Sequence, residues 1–337
     1  MPTTKAPEAL LAKIRQGNRF LLTSHISPDG DSIGSALGLA RVLRGMGKGA
    51  VIWTRDPVPG VYSLVPGVDR VHSGEEPPAG YPEKFDAIVV LECPSLDRTG
   101  VEDHLGELPL LNIDHHLGNQ HYGQVNWVDS AAPSVGEMVH RLAKGLNTSL
   151  DPETANVLYM TIVTDTGGFH FSNATDAAFD ACAQLVREGA RPELVSQWIF
   201  ENRPEPVLRL LGEMLQTLEL HDGGRVATVV LTRKMMERAG AGPSDTEGLV
   251  DYPRTIAGVQ GVAMLRERPD GNTKVSLRSR GEADVEKVAR RHGGGGHKNA
   301  AGFELDGSPA DARAEVVAAL VEVLDEGAGA EPPADEA

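Results

Sequence analysis

Cysteine is nearly missing from this chain: Cys93 and Cys182 are the only two in 337 residues. Two thiols without Cys-x-x-Cys spacing exclude a disulfide framework and fit a reducing compartment. Basic residues are also in deficit, 32 Lys and Arg against 48 Asp and Glu, for a formal net charge of -16. Phosphate backbones are gripped by basic surfaces, so this balance argues against a general nucleic-acid-binding face and against long double-stranded partners. It leaves room for short anionic substrates, which need only a local patch of arginine, lysine or metal. No stretch approaches the about 20 apolar residues of a membrane span, and the amino terminus has no basic-then-apolar leader pattern. The expectation is a soluble cytoplasmic protein with no membrane partner.

The length gives room for roughly two domains, each with a core of its own. Apolar runs at 19–23, 50–53, 86–92 and 110–114 read as strands, and helical periodicity fills 5–17 and 32–46. The runs at 86–92 (DAIVVLE) and 110–114 (LLNID) are continuously apolar and end in acids, which suits strands buried in a parallel sheet. The expected fold class is therefore α/β, a doubly wound, mainly parallel sheet, followed by a second, smaller α+β domain with short strands at 226–231, 262–267 and 274–279. Residues 1–190 form the first domain in this reading. Helices at 192–200 and 206–220, bracketed by prolines, make 191–220 a helical linker. The second domain is 221–325, and the acidic, Pro/Ala-rich residues 326–337 are expected to be disordered.

Chemistry concentrates where the first strands end. Ser24-His25-Ile26-Ser27-Pro28-Asp29-Gly30-Asp31-Ser32 places an imidazole and two carboxylates at a strand's carboxyl edge. In extended backbone, side chains two apart point the same way, so Asp29 and Asp31 converge, with Pro28 and Gly30 bending the chain towards His25. The same residues would also serve as a turn and helix cap. Asp114-His115-His116 closes another strand, Glu92 a third, and Asp165 ends a helix running from 152. Carboxylates held close together repel unless a cation separates them, and mixed oxygen and imidazole donors suit Mn²⁺, Zn²⁺ or Mg²⁺. With at least one histidine of the pair facing the crevice of His25, Asp29 and Asp31, Glu92 and Asp165 bring the candidate ligands to six, about what a two-metal centre needs with one carboxylate bridging. Near the carboxyl end, Gly293 to Gly296 precede His297 and Lys298. Glycines let backbone N–H groups approach an anion, the more so if a helix begins near Asn299, and Arg278 can fork onto a phosphate.

The motifs SHISPDGDSIGS, VVLECPSLDR, NIDHH, VTDTGGF, SLRS and GGGGHKNAAGF, in that order, resemble the DHH family of phosphoesterases with its DHH-associated carboxyl-terminal domain, in particular the bacterial nano-RNase and pAp phosphatase type. The resemblance implies two Mn²⁺ ions, with Mg²⁺ or another divalent ion as a substitute. It puts His25 and Asp29 on one ion and Asp31, His115 and Asp165 on the other, with Glu92 bridging. His116 would approach the scissile phosphate and Asp114 would orient the histidines. Arg278, Gly294, Gly295, Gly296, His297 and Lys298 would hold the nucleotide. The implied substrates are short RNA oligonucleotides, cleaved exonucleolytically, and 3'-phosphoadenosine 5'-phosphate (pAp), with a homodimer hinted. Hydrolysis of linear or cyclic dinucleotide signals is the alternative activity. The family places aspartate where this chain has Glu92. The added methylene moves the carboxylate by about 1.5 Å, against a ligand tolerance of about 0.2 Å. The expectation is backbone compensation or weakened binding of one ion, and the alternative is a nucleotide-binding protein whose catalysis is impaired.

Overall fold

The computed structural model describes residues 4–246 and 248–328, without the side chains of Ser244, His297 and Ala328. The chain divides into two compact units between Asn202 and Arg203.

The first unit holds α1 (Glu8–Gln16), β1 (Arg19–Thr23), α2 (Gly30–Gly45), β2 (Gly49–Thr54), β3 (His72–Ser73), β4 (Ala87–Leu91), β5 (Leu110–Asp114), β6 (Val125–Val128), α3 (Val135–Gly145), α4 (Pro152–Asp165), α5 (Asp176–Arg187) and α6 (Pro192–Phe200). Its six strands run in the order β3-β2-β1-β4-β5-β6, every pair parallel. Strand alternation sends Phe20 and Leu22 to one face, against the helices, and Leu21 to the other, against Trp53, Phe85 and Leu105. With both faces covered, all five residues of β4 are buried. That is why the run 86–92 is apolar without alternation. Each such side chain contributes roughly 1.5–3 kcal/mol on leaving water.

Helix α2 crosses α4 at close range. A Cβ on Gly34 would stand 2.5 Å from the Thr161 side chain, and one on Gly38 would stand 2.3 Å from that of Leu158. Small residues one turn apart thus set the distance between the two helices that carry Asp31 and Asp165. Asp29 is the N-cap of α2, accepting from the Ser32 N–H at 2.9 Å, while its own N–H donates to Ser32 Oγ at 3.0 Å. The helix therefore starts at Gly30, and Asp31 lies in its first turn rather than in extended backbone.

The second unit holds α7 (Glu205–Leu215), β7 (Glu219–His221), β8 (Val226–Leu231), α8 (Arg233–Ala239), β9 (Gly261–Glu267), β10 (Thr273–Ser279), α9 (Val285–Arg291), β11 (Gly295–His297), β12 (Ala300–Leu305) and α10 (Pro309–Ala328). Its sheet order is β11-β12-β10-β9-β8-β7, antiparallel except between β8 and β9. One face packs on α9 and α10 through Val285, Val288, Val316 and Leu320. The other packs on α7 and α8 through Leu210, Met214 and Met236.

Other expectations also differ from what is found. The segment read as a helical linker is split: Val195, Trp198 and Ile199 of α6 are buried in the first unit's core, while Val207 and Leu210 of α7 are buried in the second's. Helix α7 stops at Leu215, because residues 219–221 pair with β8 as an edge strand. No helix starts near Asn299. The glycine run instead enters the β11–β12 hairpin, where a Cβ on Gly296 (φ 149°) would meet the Ala300 oxygen at 2.4 Å. Of the tail expected from 326, α10 continues to Ala328, and residues 329–337 lie outside the described residues. Among the described residues no helix is long and apolar enough to cross a membrane.

Candidate metal centre

At the carboxyl edge of the first sheet, β1, β4 and β5 deliver His25, Glu92 and the triplet Asp114, His115, His116. Helix α2 brings Asp29 and Asp31 by its amino end, and α4 brings Asp165 by its carboxyl end. Three groups of donor atoms each lie within 4.8 Å of one another: His25, Asp29 and Glu92; Glu92, His115 and His116; Asp31, His115 and Asp165. Glu92 belongs to two of these groups and His115 to two, so they form one continuous cluster.

The Glu92 carboxylate sits at the middle. Its Oε2 lies 2.5 Å from His25 Nε2, and its Oε1 lies 3.5 Å from His116 Nε2 and 4.0 Å from His115 Nε2. His25 Nε2 is 4.0 Å from Asp29 Oδ1, and His115 Nε2 is 3.8 Å from Asp165 Oδ2. Glu92 has φ 53°, in the left-handed region, and its N–H donates to the Ile113 carbonyl at 3.0 Å. Such a conformation in a non-glycine residue costs of order 1–3 kcal/mol and persists only where the surroundings hold it.

His25, His115, His116, Asp31 and Asp165 are oriented from behind. His25 Nδ1 bonds the Ile26 carbonyl at 2.7 Å and His115 Nδ1 the Ala132 carbonyl at 3.1 Å, which turns both Nε2 atoms into the cluster. Asp31 accepts the Val135 and Gly136 N–H groups at 2.6 and 3.0 Å, at the amino end of α3. Asp165 accepts from Asn173 Nδ2 at 3.1 Å, and Asp114 Oδ1 accepts from His116 Nδ1 at 2.8 Å. Asn119 Nδ2 donates to Asp114 Oδ2 at 2.6 Å. Asn119 and Asn173 were missed in the sequence, where the only sign of them is a polar side chain a few residues beyond His116 and Asp165.

The electrostatics show what the cluster lacks. Four carboxylates share it with three imidazoles, and Asp114 lies behind them. Burial raises Asp165 to about 7, with Asp29 and Glu92 adding to the rise. Burial and the neighbouring Asp165 likewise put Asp31 well above the usual carboxylate range. Burial alone would neutralise His25, but Glu92 overrides it and holds the imidazole up to about 10. Burial similarly opposes the charge on His115, which Asp165, Asp31 and Glu92 lift to about 10. The buried Glu92 Oε2 has no hydrogen bond of normal geometry, despite the approach of His25. Protons are poor compensation here, and divalent cations coordinated by the same oxygens and nitrogens relieve the repulsion directly. The donor set and its two overlapping halves fit a pair of such ions.

The second unit's candidates are placed separately. Arg278 lies on β10, its Nη1 donating to the Leu277 carbonyl at 2.9 Å and its Nε 3.5 Å from Asp251 Oδ1. Lys298 pairs with Glu282 at 2.6 Å, so its charge is already matched. Gly294 is packed against β12, where a Cβ would meet the Gly302 oxygen at 2.2 Å, and Gly295 pairs with Gly302. The backbone of His297 ends β11, and its side chain lies outside the described atoms. Cys93 and Cys182 are buried and unpaired, and burial pushes the Cys182 thiol up to about 12 and that of Cys93 higher.

A parallel sheet whose carboxyl edge gathers carboxylates and imidazoles around a shared acid fits the class of metal-dependent hydrolases. The chain belongs to the DHH family of phosphoesterases: the DHH family amino-terminal domain matches residues 19–162, and the DHHA1 domain matches residues 223–326. It is 34% identical over 306 residues to the bifunctional oligoribonuclease and PAP phosphatase NrnA of Thermus thermophilus, covering 90% of this chain and 89% of that one. It is 27% identical over 301 residues to the enzyme of the same name from Bacillus subtilis, covering 88% of this chain and 92% of that one. Among solved structures, an exopolyphosphatase-related protein from Bacteroides fragilis superposes with a TM-score of 0.85 at 26% identity, covering 96% of this chain and 98% of that one.

Proposed function

We propose that this chain is a Mn²⁺-dependent hydrolase that removes nucleotides from the ends of short oligoribonucleotides and the 3'-phosphate from pAp, acting in the cytoplasm. The observation that carries the reading is the position of Glu92, whose carboxylate joins the His25–Asp29 group to the His115–His116 group. The names of the two NrnA relatives support the substrate class.

His25, Asp29 and Glu92 would hold one ion, and Asp31, His115, Asp165 and Glu92 the other. When bound, the ions supply acidification of a water molecule and neutralisation of charge on the phosphoryl group. The chain's own residues do the rest. Asp114 accepts from His116 Nδ1 and so presents Nε2 towards the cluster, where the ring, with a proton on both nitrogens, would pass the Nε2 proton to the departing ester oxygen and be left neutral with its proton on Nδ1. The N–H groups opening α3 fix Asp31 against rotation, and Asn173 does the same for Asp165. In the second unit, Arg278, the backbone of Gly294 to Gly296, His297 and Lys298 would bind the nucleotide.

The test is product analysis with chelator-stripped protein and added Mn²⁺, using pAp, 5'-labelled RNAs of two to five nucleotides, and linear and cyclic dinucleotides. Phosphate from pAp and a ladder of shortened RNAs, both abolished by chelator, are expected. Cleavage of the dinucleotides alone would reassign the chain to the signalling alternative, and binding of pAp without turnover would make it a nucleotide-binding protein. Light scattering on the same sample measures whether it is a homodimer.

A further inference from the structure

Behind the histidines lies a polar network that the roles above do not use. Asn119 has all four of its hydrogen-bonding positions filled. Its Nδ2 donates to Asp114 Oδ2 at 2.6 Å and to the Cys93 carbonyl at 3.3 Å. Its Oδ1 accepts from Asn112 Nδ2 at 2.9 Å and from the His121 N–H at 2.8 Å. The amide cannot be turned over, because its oxygen would then face a carboxylate and a carbonyl while its nitrogen faced two donors. The Cys93 carbonyl also accepts from the Tyr122 hydroxyl at 2.8 Å.

Both ends of this network reach the cluster. Asp114 is fully buried, and its other oxygen takes the His116 Nδ1 proton. The Cys93 carbonyl belongs to the residue directly after Glu92, whose left-handed backbone must be held from outside. One side chain thus ties the carboxyl end of β4 to that of β5. We propose that Asn119 is a positioning residue that holds the Nδ1–H of His116, and so the direction of its Nε2, through Asp114 and steadies the Glu92 turn through Cys93. This rests on the phosphoesterase reading, in which His116 handles the proton of the leaving oxygen. Without Asn119, a buried carboxylate oxygen loses its donor and Asp114 is released to rotate.

The experiment compares Asn119→Ala, Asn119→Ser and Asn119→Asp in the full chain by kcat and KM on pAp with Mn²⁺, by thermal midpoint, and by ¹⁵N shifts of His116 in the metal-stripped protein. Asn119→Ala is expected to lower kcat by about 10- to 100-fold, the usual cost of losing a residue that orients a metal site, with KM within about threefold. Asn119→Ser, which keeps a donor, recovers part of the loss. Asn119→Asp falls at least as far as alanine, since its carboxylate would stand against Asp114 and the Cys93 carbonyl. The ¹⁵N shifts show His116 protonated at Nδ1 in the parent chain and mixed in Asn119→Ala. A folded alanine variant with kcat within twofold of the parent, or an unchanged His116 tautomer, would overturn the proposal. Should the alanine variant fail to fold, the serine variant carries the same comparison. If the parent chain leaves pAp intact, the phosphoesterase reading fails, and the nitrogen shifts still decide the role of Asn119.

Discussion

Shortening Glu92 to aspartate should weaken metal binding while leaving the fold intact or slightly firmer. The Glu92 carboxylate reaches 2.5 Å from His25 Nε2 and 3.5 Å from His116 Nε2. Removing one methylene withdraws it by about 1.5 Å. The backbone is poorly placed to follow, because the Glu92 N–H is bonded to Ile113 and the Cys93 carbonyl is held by Asn119 and Tyr122. A retreat of that size far exceeds the about 0.2 Å that a ligand distance tolerates, so Mn²⁺ binding should weaken by about tenfold or more, the cost typical of disturbing a metal site. Aspartate is also more at ease than glutamate at φ 53°, so thermal stability should hold or rise. Calorimetric titration of Mn²⁺ into stripped Glu92→Asp and parent chains reads the first effect, and thermal melting the second. Equal or tighter Mn²⁺ binding by the aspartate variant would refute the claim that the shorter side chain falls out of reach.

Two other outcomes follow from groups away from the cluster. Burial works against the charge on Asp129, but the Thr4 N–H and Arg141, both at 2.7 Å, outweigh it and keep the carboxyl below its ordinary value of 3.8. The stabilisation is therefore present above about pH 4 and disappears as pH falls through the depressed value. Asp129→Asn should cost about 1–3 kcal/mol at pH 7, and in urea titrations the gap to the parent chain should close as pH falls below the ordinary carboxyl value and through the depressed one. Gly296→Ala would press a Cβ against the Ala300 oxygen at 2.4 Å and Ala301 Cα at 2.6 Å. It should destabilise the second unit by about 2 kcal/mol or more and raise KM for pAp, as read by melting and initial rates.

Much of this site could be seen in the sequence because metal-binding side chains stand at the ends of buried strands, where an acid after DAIVV or LLNI is conspicuous. His25, Glu92, Asp114, His115 and His116 were placed in this way. Asp29 and Asp31 were found for a reason that the structure corrects. Spacing alone makes them neighbours on one face of extended backbone, whereas Asp29 caps α2 and Asp31 sits within its first turn, so they join different donor groups. The turn-and-cap alternative holds for Asp29 together with its place in the cluster. Asn119 and Asn173 were not visible, since an amide that orients a carboxylate looks like any loop asparagine until the fold closes on it. The glycine run has a second reason of the same kind, since it enters a hairpin where a helix near Asn299 is expected. Glycines that admit an anion and glycines that admit a neighbouring strand are the same letters, and the hairpin accounts for Gly294 and Gly296 by contact with β12.

The most direct test is an anomalous difference map from crystals of the chain grown with Mn²⁺. Two peaks roughly 3.5 to 4 Å apart, one beside His25 and Asp29, the other beside Asp31, His115 and Asp165, with the Glu92 carboxylate touching both, are the predicted result. A single peak out of reach of Glu92, or none at this edge of the sheet, would contradict the account.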